Sequence, residues 1–225
     1  MLHDKLQLVD SFKNWAKVRK FGAGNVIIYQ GEVPRSVHMI MKGFVKVYAI
    51  SAQGEEQIVA FHVPGEVFPS SWIFNKSPGA MFFYEALDDV EVLNIQKEIF
   101  IQRLQSETKL QTLILDYFAG NYASSLIRIH ALEQSRARDK LLFTMFFLSM
   151  RYSNGSQSKI VDIPFPLTHQ NLASLVGLTR ETTAMEMNRL KAEGIINYRK
   201  QMYRINVDKI TPLMGEDSFK NISVV

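Results

Sequence analysis

Hydrophobic and polar residues follow two different patterns along the chain, and the change falls near residue 103. In the first part, short runs rich in valine, isoleucine, methionine and aromatic residues alternate with glycines that stand 11 or 12 residues apart. These runs predict β-strands over 37–41, 44–50, 57–63 and 81–87. The even spacing favours an all-β roll or barrel. The glycines concerned are Gly31, Gly43, Gly54 and Gly65.

The stretch 168–190 predicts two short amphipathic helices hinged at Gly177. Each has one apolar stripe at helical spacing, formed by Leu172, Leu175 and Val176 in the first helix and by Thr183, Met187 and Leu190 in the second. Beyond them, two β-prone runs over 195–198 and 202–207 flank a basic turn. The pattern predicts a helix-turn-helix with a two-stranded wing, while an ordinary helical hairpin would show the same apolar spacing.

A helix-turn-helix implies a function, because its second helix can lie in the major groove of DNA. We therefore expect the face that begins at Arg180 to meet base edges. The candidate base-reading residues are Arg180, Glu181, Ala184, Met185 and Asn188. In the basic turn of the wing, Arg199 and Lys200 are candidate phosphate contacts.

Between these two parts, a helical pattern runs from Ser106 to about Gln134, which is about 43 Å of helix at about 1.5 Å per residue. A heptad-like stripe on it could pack against its own domain or against the same helix of a second copy. The second arrangement is the expectation, because pairing two short recognition helices across a two-fold axis raises affinity for DNA. The predicted dimer seam consists of Leu110, Leu113, Tyr117, Asn121 and Ser124.

The predicted fold is therefore α+β, with a β-roll (jelly roll) sensor domain over 1–105, a dimerisation helix over 106–136 and a winged helix-turn-helix domain over 137–225. Charge agrees with this division. Residues 137–225 hold 12 lysines and arginines against 8 acidic residues, whereas residues 1–136 hold 14 of each, so the whole net charge of +4 lies in the last part. This is the sign that an approach to phosphate requires.

Composition excludes several classes of protein and site. The longest apolar stretch is far shorter than the roughly 20 residues that cross a bilayer, and the amino terminus is too charged for a secretory signal, so a cytoplasmic protein without membrane contact is expected. The absence of cysteine removes disulfides, thiolate metal sites and cysteine-ligated iron-sulfur clusters. His38 and His62 lie in separate strands without the acidic partner pattern of a metalloenzyme. No metal site and no enzymatic activity are therefore expected.

Taken in order, these residues resemble the Crp/Fnr transcription regulators. The resemblance covers nearly the whole chain and depends on GEVPRSVHMIMKGFVKVY at 31–48, PGEVF at 64–68 and TRET at 179–182. It implies a cyclic-nucleotide-binding-like roll followed by the winged helix-turn-helix. It also implies phosphate contacts by Thr168, Gln170, Thr179 and Thr182, and base contacts by Arg180 and Glu181. Where the family commonly has a second base-reading arginine, this chain has Met185.

The roll departs further from the family pattern. In the cyclic-nucleotide binders, a Gly-Glu pair and an Arg-Ser pair hold the ribose and the phosphate. An ungapped alignment places Pro69 and Ser70 at the first pair, and Ala80 and Met81 at the second. With no arginine to pair with a buried phosphate, cyclic AMP is not an expected effector, and no cofactor is expected.

Three possibilities for what the roll senses stay open. Its interior could hold an apolar or aromatic small molecule, could be filled by its own side chains, or could respond to a partner protein. The candidate pocket residues are Ser70, Trp72, Ala80, Met81, Phe82 and Tyr84, with Ser124 from the long helix.

The sequence thus predicts a homodimeric, non-enzymatic regulator that binds a palindromic operator in double-stranded DNA, and that also contacts RNA polymerase if it is an activator. Two other classes of protein remain as alternatives. One is a small-molecule sensor whose helix-turn-helix no longer reads DNA. The other is a β-barrel enzyme that uses His38 or His62.

Overall fold

The computed structural model describes residues 2–152 and 158–214, with side chains from residue 7 onward in the first helix. The chain divides into two compact units, Met1–Asp116 and Tyr117–Val225. The first unit holds the β-roll and the second holds the helix-turn-helix. The predicted α+β fold class is confirmed.

The roll consists of eight strands in the described part of the chain: β1 (Lys17–Phe21), β2 (Val26–Ile28), β3 (Val37–Lys42), β4 (Val45–Ile50), β5 (Glu56–His62), β6 (Val67–Phe68), β7 (Phe83–Ala86) and β8 (Val90–Ile95). They form two four-stranded antiparallel sheets, with strand orders β1-β8-β3-β6 and β2-β7-β4-β5. The four strands predicted from the sequence are β3, β4, β5 and β7, each within a few residues of its expected bounds.

Side chains from both sheets form the core of the roll. Along β4, Val45 and Val47 are buried in this core, whereas Lys46 between them forms ion pairs with Glu56 and Glu85 at 2.8 and 3.1 Å. This alternation follows from the two-residue period of a strand. Before β4, Gly43 has a φ of +82°, and a Cβ there would lie 2.5 Å from the backbone oxygen of Asp89, so only glycine fits this turn.

Four helices belong to the roll or leave it: α1 (Leu2–Phe12), α2 (Ser70–Ile73), α3 (Lys97–Ser106) and α4 (Thr108–Glu133). Helix α4 has 26 residues, so the predicted helix is slightly too long at both ends. The segment just before it, expected to be part of the roll, is the separate helix α3. Glu107 lies between the two helices with extended backbone angles, φ −127° and ψ 103°, which interrupt the helical hydrogen bonding.

The second unit continues with α5 (Ala137–Tyr152), β9 (Ile160–Asp162), α6 (His169–Val176), α7 (Arg180–Ala192), β10 (Ile196–Arg199), β11 (Met202–Asn206) and α8 (Val207–Ile210). Strands β10 and β11 are the predicted wing, and β9 joins them in a three-stranded sheet of order β10-β11-β9. Across residues 2–152 and 158–214, no helix has the length and apolarity to span a bilayer.

Candidate nucleic-acid interface

The helix-turn-helix is built by two capped helices joined at a glycine. Thr168 caps α6, since its hydroxyl accepts a hydrogen bond from the Asn171 amide at 2.9 Å while Asn171 Oδ1 accepts one from the Thr168 amide. Gly177 ends α6 with φ +68° and ψ +44°, a left-handed conformation that is costly for other residues. Thr179 then caps α7 by accepting from the Thr182 amide at 3.2 Å. These local interactions fix where α7 begins, and therefore where Arg180 stands.

Helix α7 has one buried face and one exposed face. Met187 and Leu190 are completely buried, and Thr183 and Glu186 are buried with them. On the opposite face, the predicted base-reading side chains Arg180, Glu181, Met185 and Asn188 are exposed, and Ala184 is partly exposed. Within the described part of the chain, neither Arg180 nor Glu181 has an ion-pair partner. The first turn of α7 thus presents one cation and one anion to solvent.

Asn188 is held by the wing, which the sequence did not reveal. The hydroxyl of Tyr198 in β10 donates a hydrogen bond to Asn188 Oδ1 at 2.8 Å. Tyr198 is itself packed edge-on against His169 and stacked on Tyr203, with Lys191 Nζ 4.4 Å from its ring. The amide oxygen of Asn188 therefore already accepts one hydrogen bond within the protein.

The predicted phosphate contacts lie at the helix starts and on the wing. The hydroxyls of Thr168, Thr179 and Thr182 take part in the two caps, where Thr179 also donates to Thr182 Oγ1 at 2.9 Å. Gln170 is exposed beside them, with its amide 3.4 Å from the Ser174 hydroxyl. Thr179 is exposed and Thr168 and Thr182 are partly exposed. Backbone N–H groups at a helix start favour anions, because that end of the helix dipole is positive.

The wing turns sharply between β10 and β11. Lys200 and Gln201 have φ values of +50° and +67°, which fit the two-residue turn of a tight hairpin. Arg199 and Lys200 are exposed at this tip. Because neither turn residue is glycine, the tip carries long polar side chains at the cost of a less favoured backbone conformation.

A cleft of about 560 Å³ lies between the two helix starts and the wing. The side chains that line this cleft include three cations and two amides but no carboxylate. The lining residues are Leu167, Thr168, His169, Gln170, Arg180, Tyr198, Arg199, Lys200, Gln201 and Tyr203. Burial and, secondly, the nearby charge of Arg180 lower the pKa of His169 below its ordinary value. His169, Tyr198 and Gln201 were not among the predicted site residues, although each is adjacent in sequence to one that was.

Two family models match the chain. Residues 18–107 match the cyclic nucleotide-binding domain, and residues 143–213 match the Crp-like helix-turn-helix domain. The chain belongs to the Crp/Fnr family. It is a DNA-binding transcription regulator of the Crp/Fnr type, in a family of regulators rather than enzymes.

Several relatives are similar over most of their length. The regulatory protein HlyX of Actinobacillus pleuropneumoniae is 28% identical over 211 residues, which are 93% of this chain and 85% of HlyX. The nitrogen fixation regulation protein FixK of Rhizobium meliloti is 25% identical over 81% of this chain and 79% of FixK. Among solved structures, FixK2 from Bradyrhizobium japonicum has a TM-score of 0.73 at 19% identity, over 90% of this chain and 99% of FixK2, which shows a shared fold.

In the roll of this Crp/Fnr regulator, the predicted pocket residues do not form one group. Tyr84 and Ala80 are part of the roll's own core, where Tyr84 stacks on Phe68 with ring centroids 4.9 Å apart. Met81 is exposed, so its place in an interior pocket is wrong. Phe82 packs partly buried against the same core. The buried aromatic residues of this region act as core residues.

The other predicted pocket residues are also engaged. The Ser70 hydroxyl donates to the backbone oxygen of Val67 at 3.2 Å. Trp72 lies under Lys97, whose ammonium is 4.3 Å from the ring and donates to the Trp72 backbone oxygen at 2.8 Å. Ser124 is buried, and its hydroxyl accepts a hydrogen bond from Arg151 in α5 at 3.0 Å. The structure therefore places Ser124 in a contact between two helices of the second unit.

The two strand histidines differ in their surroundings. His38 is buried and stacks on Phe68, and burial followed by the charge of Arg19 lowers its pKa to about 4. His62 Nδ1 lies 2.5 Å from Oε2 of the fully buried Glu66. Among the residues that the structure describes, no three histidine, aspartate or glutamate side chains come together as a metal-binding group.

None of the residues of the predicted dimer seam is fully exposed on α4. Leu110, Tyr117 and Ser124 are buried within the protomer, and Asn121 Oδ1 accepts a hydrogen bond from Arg151 at 3.3 Å. Leu113 is only partly exposed on the same side. A different set of apolar side chains is turned to solvent, with exposed fractions between 48% and 68%: Leu115, Tyr122, Leu126 and Ile129.

Proposed function

We propose that this regulator binds a palindromic operator as a homodimer, with Arg180 and Glu181 as its principal base-reading residues. The observation that carries the proposal is the exposed first turn of α7, where both side chains stand outside any ion pair of the described residues. Such a helix end can lie in the major groove while the wing follows the adjacent backbone.

The two side chains suit different bases. The Arg180 guanidinium can donate two hydrogen bonds to O6 and N7 of a guanine, and the Glu181 carboxylate can accept from the N4 amine of a cytosine. The exposed Met185 offers no such hydrogen bonds, so that position favours a thymine methyl group or shows no preference. The half-site should therefore differ from that of relatives with an arginine there.

Phosphate contacts would orient α7 in the groove. Thr168 and Gln170 at the start of α6 and Arg199 and Lys200 on the wing line the cleft of about 560 Å³, and Thr179 and Thr182 lie at the start of α7. Because the described lining of this cleft contains no carboxylate, a phosphate can enter it without like-charge repulsion. Contacts of this type bind every sequence alike and position the base-reading residues.

The exposed stripe of α4 supports a parallel dimer. Leu115, Ala119, Tyr122, Leu126 and Ile129 are exposed and recur at intervals of four and three residues, which is the spacing of a two-helix coiled coil. A second copy would cover this apolar stripe, and the two recognition helices would then face half-sites about 34 Å apart.

For the input we propose an effector other than cyclic AMP, or none. The aligned positions Ala80 and Met81 supply no cation for a phosphate, and Tyr84 and Phe68 fill part of the roll interior themselves. No iron-sulfur cluster of the cysteine-ligated kind can form on these 225 residues, which contain no cysteine. The protein would work on DNA in the cytoplasm without catalysing a reaction, and it would contact RNA polymerase if it activates transcription.

Selection of bound duplexes from a random DNA library tests the proposal. The enriched sequences should be palindromes with half-sites about one helical turn apart, and affinity measured by fluorescence anisotropy should fall steeply between about 50 and 200 mM salt. Lys200→Ala removes a proposed contact to the DNA phosphate backbone. It should weaken binding to all sequences alike and reduce the slope of log affinity against log salt concentration by about 1. Enrichment of sequences without two-fold symmetry, or no enrichment, would contradict the proposal.

A further inference from the structure

The carboxyl end of α6 is held by a side chain from α4. Arg128 Nη2 donates a hydrogen bond to the backbone oxygen of Leu175 at 3.1 Å. Leu175 is the second-last residue of α6, two positions before the turn at Gly177 and five before Arg180. The contact therefore lies at the hinge that sets the direction of α7.

A guanidinium fits this place for a physical reason. The last four carbonyls of a helix lack partners within the helix and carry the negative end of its dipole. In α6, the Ala173 oxygen accepts from the amides of Gly177 and Leu178, whereas the Leu175 oxygen is reached by Arg128. Burial of Arg128 is extensive enough to lower its pKa to about 10, so its hydrogen bonds form in a region of low solvent access.

A second arginine joins α4 to α5 nearby. Arg151 donates to Asn121 Oδ1 at 3.3 Å and to Ser124 Oγ at 3.0 Å, and its guanidinium lies 5.8 Å from the ring of Tyr152. All of these residues belong to one compact unit, Tyr117–Val225. The second half of α4 is thus joined by side-chain hydrogen bonds to both α5 and α6.

We propose that Arg128 is a positioning residue that fixes the angle between α4 and the recognition helix, and so sets the half-site spacing that the dimer accepts. The inference rests on the proposed homodimer, in which the opposite face of α4 pairs with a second copy. In that arrangement, α4 lies at the two-fold axis and determines where each recognition helix stands relative to it. The Arg128 hydrogen bond to Leu175 is a side-chain contact between α4 and α6 close to the turn at Gly177.

Arg128→Met tests this, because methionine keeps much of the apolar stem and removes the donor. The matched control is Arg136→Met, which removes the same charge from the exposed loop between α4 and α5. Binding is measured on the selected operator, on versions with the spacer changed by one or two base pairs, and on a duplex with a single half-site. One base pair shifts a half-site by about 3.4 Å and turns it about the duplex.

The wild type and Arg136→Met should both bind the altered spacings about tenfold or more weakly. Arg128→Met should bind them within about threefold of the original spacing, with single half-site affinity and dimerisation unchanged. A residue that only stabilises the fold would lower the melting temperature and leave the spacing preference intact. Arg128→Leu, which also removes every hydrogen-bond donor of this side chain, allows the same measurement if the methionine variant does not fold.

Retention of the wild-type spacing preference by the folded Arg128 variants would overturn the inference while leaving the proposed function standing. A wild-type protein that fails to dimerise, or that has no sequence preference, would instead overturn the proposed function and this inference with it. The two failures are thus distinguished by the wild-type measurements alone.

Discussion

Replacing Leu126 should weaken the dimer more than replacing any residue of the buried α4 face. Leu126 belongs to the exposed stripe and is 48% exposed in the protomer. In the proposed dimer, the exposed stripe of α4 in the second copy would cover the Leu126 side chain. Leu126→Ala removes most of this contact, and Leu126→Glu also places like charges opposite each other at the seam.

The magnitude follows from the exposed fraction. Full burial of a leucine side chain contributes about 1.5 to 3 kcal/mol, so covering the exposed half contributes roughly 1 kcal/mol. Two symmetry-related copies give about 2 kcal/mol per dimer, which corresponds to a roughly 30-fold weaker dimer constant for Leu126→Ala. Leu126→Glu should have a larger effect, because two carboxylates would be desolvated without a cation.

Sedimentation velocity over a concentration series measures this constant directly. Leu213→Ala is the matched control, since Leu213 is 47% exposed but lies outside α4; it should leave the dimer constant unchanged. If Leu126→Glu dissociates into monomers at the same protein concentration as the wild type, the dimer seam does not run along this stripe. Weakened dimers with an unchanged melting temperature of the protomer would support it.

Three further outcomes are expected. Arg180→Ala should lose about 1 to 3 kcal/mol of discrimination at one base pair per half-site and keep its non-specific affinity, which competition with base-substituted operators measures; a uniform loss would make Arg180 a phosphate contact. Since burial lowers the pKa of His38 to about 4, the folded state binds fewer protons than the unfolded state between pH 6.5 and 4. The contribution of His38 to the free energy of unfolding should therefore fall by about 1 kcal/mol from pH 7.5 to 5.5 in urea titrations, and a His38→Gln variant that keeps the wild-type pH dependence would refute the assignment. Tyr198→Phe should release the amide of Asn188 and alter base preference at the position it faces, and an unchanged selection profile would show that the hydrogen bond does not limit base reading.

The helix-turn-helix could be predicted from the sequence because its determinants are local. The apolar spacing, the cap at Thr179 and the glycine at 177 each depend on residues within a few positions of one another. Strands β3, β4, β5 and β7 were predictable for the same reason, since their alternation and their bounding glycines are also local signals. The exposed face of α7 follows once its buried stripe is known.

The face of α4 that the protomer buries could not be predicted in this way. The helix carries two apolar stripes, and local periodicity does not tell which one the protomer buries. The stripe through Tyr117 and Ser124 is buried, and its polar members Asn121 and Ser124 are bonded to Arg151, which is about 30 residues away in sequence. The hydrogen bond between Tyr198 and Asn188 likewise joins a strand, β10, to a helix, α7. Contacts of this kind depend on the tertiary structure.

Under the proposed function, the small number of base contacts made by one protomer favours binding to DNA as a dimer. Because Met185 cannot donate hydrogen bonds and the amide oxygen of Asn188 already accepts one from Tyr198, Arg180 and Glu181 would be the main base-reading residues of each protomer. Two contacts of about 1 to 3 kcal/mol give one protomer roughly 2 to 6 kcal/mol of discrimination. Specific regulators typically separate operator from bulk DNA by about 4 to 10 kcal/mol, so one half-site reaches at most the lower part of this range, whereas two half-sites together give about 4 to 12 kcal/mol. A seam variant that abolishes the dimer should therefore lose operator selectivity as well as affinity, even though its recognition helix is unchanged.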